Sequence, residues 1–494
     1  MSTLDEQLVV PSARGERRRL RLWVRMLLGC LMVVVAVAAT VATGTLLEVK
    51  AFTDALKQSP QLQLGNELAN ADAGGPQTLL LIGSDKRAKG AIDSGGPPHS
   101  DTMLLVRLDP NQPDTTMLSV PRDLKVTIHP DHGTPSTQKL NAAYSIGGAK
   151  LAVETVKQVL GIPINHVIDI NFAGFRDVVN YLGCVFVQVD QRYYHSNLGL
   201  AAGQTYSEIN LQPGYQRLCG DDALAYVRYR HTDTDLVRNA RQQDFLRQIK
   251  NQVGAAGLVA RRYALENIFG KYASTDIRSA DDVLKLLELL VQSASHPVRQ
   301  VVFKADLGPS YVTASHGQIH QTVQEFLNGG ITPGHIALPA AAKKGHGHPA
   351  PLPAVPLTPT TSSDLAAATA VAPSVPFKLY YPVREVTSAF APADTVRSYA
   401  LHGGHAYVVV VSQGGLGQYY NLQGTDWTNP PILNNPNQTI ILGGRRVQLY
   451  FEGQRLRMVA WHDGRAVYWL INTLQNILTN REMLSIAAAA RPVS

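Results

Sequence analysis

Long apolar runs, cysteine, aromatic residues and charge are all scarce in this chain, and each scarcity excludes something. Beyond residue 47 no stretch is apolar for long enough to cross a bilayer again, so a polytopic membrane protein is excluded. Three cysteines rule out a disulfide-dense miniature fold and a multi-cysteine metal cluster. Aromatics make up 7% of the residues, fewer than a module that works mainly by stacking sugars needs. Charged residues are 17%, yet hydrophobic residues are 45%, a balance that suits folded domains and not disorder. Net charge is +7, of which the first 25 residues supply +3, six arginines against Asp5, Glu6 and Glu16. The remainder is only mildly basic, which argues against nucleic acid as a partner and leaves membranes or anionic wall polymers.

The one long apolar run is Met26 to Leu47, 22 residues without a charge. At about 1.5 Å per residue it spans roughly a 30 Å hydrocarbon core. It exceeds the apolar part of a cleavable signal peptide, so the expectation is an uncleaved transmembrane helix over 26–47. Arg14, Arg17, Arg18, Arg19, Arg21 and Arg25 precede it and place residues 1–25 in the cytoplasm. The expected localisation is the cell membrane, single-pass, with everything after residue 47 outside. In that oxidising compartment Cys184 and Cys219, the two cysteines beyond the anchor, are expected as a disulfide; two buried free thiols are the alternative.

About 445 residues outside a membrane exceed one ordinary domain. Residues 48–77 read as a stalk. Over 78–330 short apolar runs (Leu79–Ile82, Met103–Leu108, Thr116–Val120, Val167–Ile170, Val185–Val189, Gln300–Phe303) alternate with helical patterns, which predicts a mixed α/β domain. Val237–Gln252 has the spacing of an amphipathic helix with Phe245, Leu246 and Ile249 on its apolar side. Residues 338–376, rich in Ala, Pro, Thr and Ser, read as a flexible linker. The histidines of Gly345–His348 within it are too few to argue a metal. From 377 to 494, alternating segments such as Tyr407–Val411, Val447–Phe451, Arg457–Trp461 and Ala466–Leu470 predict a small antiparallel sheet, followed by a helix from Asn480. Trp427 and Tyr419–Tyr420 in this part read either as sugar-stacking surfaces or as core.

The densest chemistry lies in residues 228–243, where Arg228, Arg230, Arg238 and Arg241 stand with His231, Asp233, Asp235 and Gln242. Arginine matches phosphate oxygens in a bidentate fork and stays charged at any ordinary pH, so four together point to a pyrophosphate. A solvated helical face with surface ion pairs is the alternative. Arg238, Arg241 and Gln242 share a helical face near a helix start, which favours anions. Arg228 and Arg230 point to one side only if their segment is a strand. Earlier, Asp85 follows the first strand and Asp101 precedes the second. If the first three strands run antiparallel, both acids and Arg122 arrive at one end of the sheet. Two carboxylates there suit a hard cation such as Mg²⁺ (or Mn²⁺), while turn residues are the bland reading of both acids.

Together these motifs are similar to those of the LytR-CpsA-Psr (LCP) family of cell-wall glycopolymer ligases. The segments that carry the resemblance are Leu81–Asp85, Ser100–Met103, Leu118–Asp123, Lys139–Tyr144, Ile170–Phe175 and 228–242, in family order over 78–330. The resemblance implies an α/β sandwich with a hydrophobic tunnel for a polyprenyl chain. It implies that Asp85 and Asp101 hold the metal, and that Arg122, Arg228, Arg230, Arg238, Arg241 and Gln242 bind the lipid pyrophosphate. The implied reaction moves a glycopolymer from undecaprenyl or decaprenyl pyrophosphate onto a peptidoglycan hydroxyl. Arg122 is the expected catalytic arginine, and Asp123, Asp233 and Asp235 are the candidates for the acceptor proton. Two departures stand out: Lys86 puts a cation beside Asp85, and residues 377–494 do not resemble the common LytR C-terminal module. A polyprenyl-pyrophosphate hydrolase and a non-catalytic, membrane-tethered regulator or wall-binding protein remain as alternatives.

Overall fold

Runs of Leu, Val, Ile and Met between Gly, Pro and Asp build a central sheet. Its strands are β1 (Gln77–Ser84), β2 (Ser100–Leu108), β3 (Thr115–Ser119) and β4 (His166–Asn171). After them come the β5–β6 hairpin (Val185–Val189 and Gly214–Leu218), then β7 (Ala273–Thr275) and β8 (Val298–Val301). The six-stranded order is β7-β4-β1-β2-β3-β8. β1–β2 and β2–β3 are antiparallel, while β4 on β1 and β8 on β3 are parallel. In this computed structural model the described residues are 60–493 except 71, 73, 87–97, 200–206, 231–232, 261–267, 269–270, 294–295, 329–354, 356, 387–395 and 415–416, plus residues 50, 53, 54 and 57. The expected anchor Met26–Leu47, with Cys30, lies outside them, as do Gly345–His348 and His231. Among the described residues no helix is long and apolar enough to cross a membrane.

Strand alternation splits the side chains between two layers. Leu80, Ile82, Met103, Leu105 and Leu118 face α1 (Ala142–Leu160), and Leu79 and Leu108 meet Leu289 on the opposite side. α1 is broken at Gly147–Gly148, where Gly148 takes φ 65 and ψ −157, which only glycine adopts without strain. The regular helix therefore begins near Ala149, and the turn before it carries Tyr144 inward. α2 (Phe172–Tyr181), α3 (Gly220–Arg228) and α4 (Asp235–Ala260) follow, then α5 (Ala280–Gln292) and α6 (His316–Leu327). The architecture is α/β, as expected.

Residues 357–374 correct the expectation of a flexible linker over 338–376. A short strand at Leu357–Pro359 pairs with Arg384–Val386, and α7 (Ser362–Val371) follows. Thr361 caps α7 by accepting from the Asp364 N–H, and the alanines that looked like linker are the best helix formers. Next come β9 (Val396–Leu401), β10 (Gly404–Ser412), β11 (Tyr419–Thr425), β12 (Gln438–Leu442), β13 (Arg445–Glu452), β14 (Arg455–Asp463) and β15 (Ala466–Ile471). They form one antiparallel sheet, β9-β10-β11-β15-β14-β13-β12, backed by α8 (Asn480–Ala489). Residues 55–494 form one compact unit, so this sheet packs directly on the first half. Trp469 Nε1 donates to Gln188 Oε1 (3.2 Å), Tyr215 N donates to Gln423 Oε1 (3.0 Å), and Arg247 Nη1 meets Glu452 Oε2 (2.6 Å).

Candidate active site

A register break creates the centre of the site. On β1 and β2, Gly83 pairs with Thr102 but Ser84 pairs with Ser100, so Asp101 is the extra residue of a bulge. Bulges re-aim one side chain without ending the strand. Asp101 is turned toward Arg122, which the chain delivers just past β3 in the turn closed by Leu124 N to Pro121 O (3.1 Å). Arg122 Nη1 pairs with Asp101 Oδ1, and Arg228 Nε donates to Asp101 Oδ2 at 3.0 Å. Burial would raise the Asp101 carboxyl, but the charges of Arg228, Arg122 and Arg238 outweigh it and hold the group below its ordinary range.

Asp85 lies just past the end of β1, whose last residue, Ser84, pairs with Ser100 beside Asp101. Its N–H donates to His99 O (3.1 Å) and its Oδ1 accepts from His99 N (2.6 Å), with His99 Nδ1 3.9 Å from Oδ2. The two acids thus leave adjacent strands at the same sheet end but engage different partners. Behind them Asp169 accepts from Ser84 Oγ (2.7 Å) and Tyr144 Oη (2.5 Å). Burial keeps the Asp169 carboxyl above its ordinary value despite those two hydrogen bonds.

Arg228 reaches the site from a helix, which corrects the expected strand. Gly220–Arg228 has Asp221 and Asp222 in its first turn and Arg228 in its last, a charge order that suits the helix dipole. The guanidinium of Arg228 lies 4.0 Å over the Phe172 ring. Arg230, just beyond the helix, has Nη1 3.8 Å from Asp123 Oδ2. Asp123 also faces Arg122 Nε (3.8 Å) and Lys139 Nζ (3.2 Å). Phe172, Lys139 and the Ser84–Tyr144–Asp169 group were not singled out from the sequence, although all but Asp169 lie within the quoted motifs and Asp169 immediately precedes one.

α4 corrects a second expectation. It is not a simple amphipathic helix: Arg238, Arg241, Gln242, Gln243, Asp244, Arg247 and Gln248 are buried together with Phe245. Arg238 pairs with Asp235, and burial pulls its pKa down against that partner. Arg241, fully buried, pairs with Asp233 and donates through Nη1 to Tyr226 O (3.2 Å) and Tyr229 O (3.0 Å). Its guanidinium lies 4.5 Å from the Tyr193 ring centroid. Gln242 Nε2 donates to Val227 O (3.0 Å). Arg241 and Gln242 therefore satisfy the carbonyls that the end of α3 leaves without helical partners. Arg122, Arg228 and Arg238 surround Asp101 electrostatically; Arg241 and Gln242 hold the helix that presents Arg228.

Two long-range devices brace this layout. Cys184 and Cys219 form a disulfide, with Cα atoms 4.5 Å apart, that ties the start of α3 to the strand β5. The C-terminal sheet presses on α4: Arg247 bridges Asp244 and Glu452, and Gly417 lies close against Val237 and Asp233. Nearby Arg457 is pulled down to about 10 by burial and by the charge of Arg247.

The LytR_cpsA_psr family model matches residues 41–327, more than half of the chain. The chain is 34% identical over 241 residues to the polyisoprenyl-teichoic acid–peptidoglycan teichoic acid transferase TagT of Bacillus subtilis (strain 168), covering 48% of this chain and 72% of that protein. It is 31% identical over 260 residues to the transferase of the same description, TagU, of Enterococcus faecalis (strain ATCC 700802 / V583), covering 51% and 79%. The crystal structure of Bacillus subtilis TagV aligns at 29% identity and a TM-score of 0.41 over 52% of this chain and 99% of that one. On the extent of the sequence match, this chain belongs to the LytR_cpsA_psr family.

Proposed function

We propose that this chain is a phosphotransferase that moves a glycopolymer from a polyprenyl-pyrophosphate carrier onto a peptidoglycan hydroxyl. The observation that carries this is Asp101, bound by Arg122 and Arg228 with Arg238 behind them, at an end of the sheet where a phosphate can exchange for the carboxylate. The relatives TagT and TagU are transferases that use a polyisoprenyl-linked teichoic acid, which supports the same chemistry here. In the reaction the acceptor oxygen forms a bond to the sugar-linked phosphorus. The bond from that phosphorus to the bridging oxygen breaks, and polyprenyl phosphate leaves. Arg122, Arg228 and Arg230 neutralise the charge on the phosphate oxygens, the larger part of the work in such transfers. Asp233 and Asp235 are buried in their pairs with Arg241 and Arg238, whereas Asp123 is the more exposed acid beside Arg122, Arg230 and Lys139, and we assign it to accept the proton from the hydroxyl.

Asp85 and Asp101 are hard oxygen donors that fit Mg²⁺ or Mn²⁺, which take one or two protein carboxylates and complete their shell with substrate oxygens. A bound cation supplies charge neutralisation at the pyrophosphate. Met26–Leu47 is assigned to a membrane anchor that keeps the site at the outer membrane face. Incubating the purified protein with a lipid-pyrophosphate oligosaccharide, peptidoglycan fragments and Mg²⁺ tests this. Ligated product supports it, free sugar phosphate makes the protein a hydrolase, and no turnover leaves a regulator or wall-binding protein.

A further inference from the structure

The C-terminal sheet carries a groove that the transfer site does not use. A cavity of about 870 Å³ opens between the β9–β10, β11 and β14–β15 ends and is lined by His402, Trp427, Asp426, Lys378 and Arg465 among others. A second, of about 760 Å³, shares His402 and continues across Tyr399, Arg397 and Arg217 onto the β5–β6 hairpin. Both are within the volume range of ligand sites, and together they make an elongated trough instead of a closed pocket.

At the junction, the His402 ring stacks on Trp427 with centroids 4.1 Å apart and planes 18° apart. His402 is exposed and takes a positive φ of 50, so the backbone itself turns this ring outward onto the indole. Trp427 is half-buried and anchored from beneath by Phe186, 5.2 Å away. Tyr420, by contrast, is core and presents no surface. The two rings are stacked face to face, so the outer face of His402 is the one presented to the groove, supported from below by Trp427 and Phe186, and that face suits the apolar side of a sugar ring. Around it stand groups suited to ring hydroxyls and charge. Asp426 accepts from His405 N (2.8 Å), and Arg465 is exposed at the rim. Arg217 and Arg397 are fixed by backbone carbonyls (Gly183 O, 2.8 Å; Pro213 O, 2.8 Å), bonds that leave their charges uncompensated by those partners. Lys378 is matched by Asp463 (2.9 Å). Counting Lys378, Arg465, Arg217 and Arg397 against Asp426 and Asp463, the trough is net positive.

We propose that this trough binds an acidic polysaccharide strand, with a sugar ring on the outer face of His402, which Trp427 holds in place, and its negative groups toward Arg217, Arg397 and Arg465. The trough reaches the Cys219 end of α3, whereas Arg228 is at the other end, about 13 Å along the helix axis at 1.5 Å per residue. Carboxylate-bearing and phosphate-bearing wall glycans share the required chemistry.

The test is titration of the full chain in detergent with muramidase-released peptidoglycan fragments, with a phosphate-bearing teichoic-type polymer, and with neutral dextran. Binding is read by calorimetry in the absence of any lipid-linked donor. Saturable binding of one acidic glycan, at least tenfold tighter than dextran, is expected, and which one binds identifies the source. His402→Asn, which removes the ring but tolerates the left-handed backbone, and Arg465→Ala should each weaken binding at least fivefold. Trp427→Ala should abolish it if that variant folds. Non-saturable binding, equal binding of dextran, or unchanged affinity in both surface variants would each overturn the proposal.

Discussion

Arg241 donates through Nη1 to the carbonyl oxygen of Tyr229 at 3.0 Å, one residue past the helix that ends in Arg228. Arg241 is fully buried and ion-paired with Asp233, which predicts that it holds α3 in place. Arg241→Ala should therefore unfold at lower urea, by about 3–5 kcal/mol, since Asp233 is left buried without its partner. Urea denaturation followed by circular dichroism checks this. Stability equal to the native chain would mean that Arg241 is free for substrate.

Glu452 on the C-terminal sheet serves both halves of the unit. Its Oε2 meets Arg247 of α4 (2.6 Å), and its Oε1 accepts from Gln300 N on β8 (2.9 Å). Arg247→Met should cost about 3–5 kcal/mol, because it strands the buried Glu452 and Asp244, and Glu452→Met should cost less, because Arg247 keeps Asp244 as its partner. The double variant should cost less than the sum, a difference that a double-mutant cycle measures directly. Strict additivity would show that the two halves are not coupled through this pair.

Much of this was legible in the sequence because its signals are local. The strands β1 to β3 follow from short apolar runs broken by polar turns, and the antiparallel order, which the sequence left as a condition, brings Asp101 and Arg122 to one sheet end. The bulge that turns Asp101 was not legible, since a one-residue register change leaves no pattern of its own. Helical spacing placed Arg238, Arg241 and Gln242 on one side of α4, but spacing says nothing about what packs there. That side meets the end of α3 and the tyrosines, and the opposite side meets Glu452 from far along the chain. The same limit hid α7, because alanine-rich sequence serves equally as linker and as helix until a cap and a packing partner decide.

Glu385 predicts a pH dependence. It is 5% exposed, its Oε1 has no hydrogen-bond partner, and burial, aided by the charge of Asp364, pushes its carboxyl up to about 7 from the ordinary 4.5. Between those values the folded state holds a proton that the unfolded state has lost, so stability falls as pH rises from about 4.5 through 7. Glu385→Gln should remove that slope and stabilise the protein above pH 7 by on the order of 1–3 kcal/mol. Melting temperatures measured across pH 4.5–8 check it, and parallel curves for the two proteins would contradict it.

The Cys184–Cys219 bridge closes a loop with a sequence separation of 35. Replacing both with serine should cost on the order of 3–4 kcal/mol in the chain-entropy picture. It should also lower transfer by loosening the start of α3 more than its Arg241-held end. Alkylation of the native protein followed by mass spectrometry should label neither thiol, and full labelling of both would refute the bridge.

The most direct measurement is single-turnover transfer of a lipid-pyrophosphate oligosaccharide to peptidoglycan fragments by the native chain and by Arg122→Ala and Arg228→Ala. Each arginine makes a charged contact to Asp101, and such contacts are worth about 1.5–3 kcal/mol. Each variant should lose at least tenfold, and up to about 150-fold, of the transfer rate while its urea midpoint shifts little. Native-like transfer rates in both folded variants would contradict the assignment of this cluster to phosphoryl transfer.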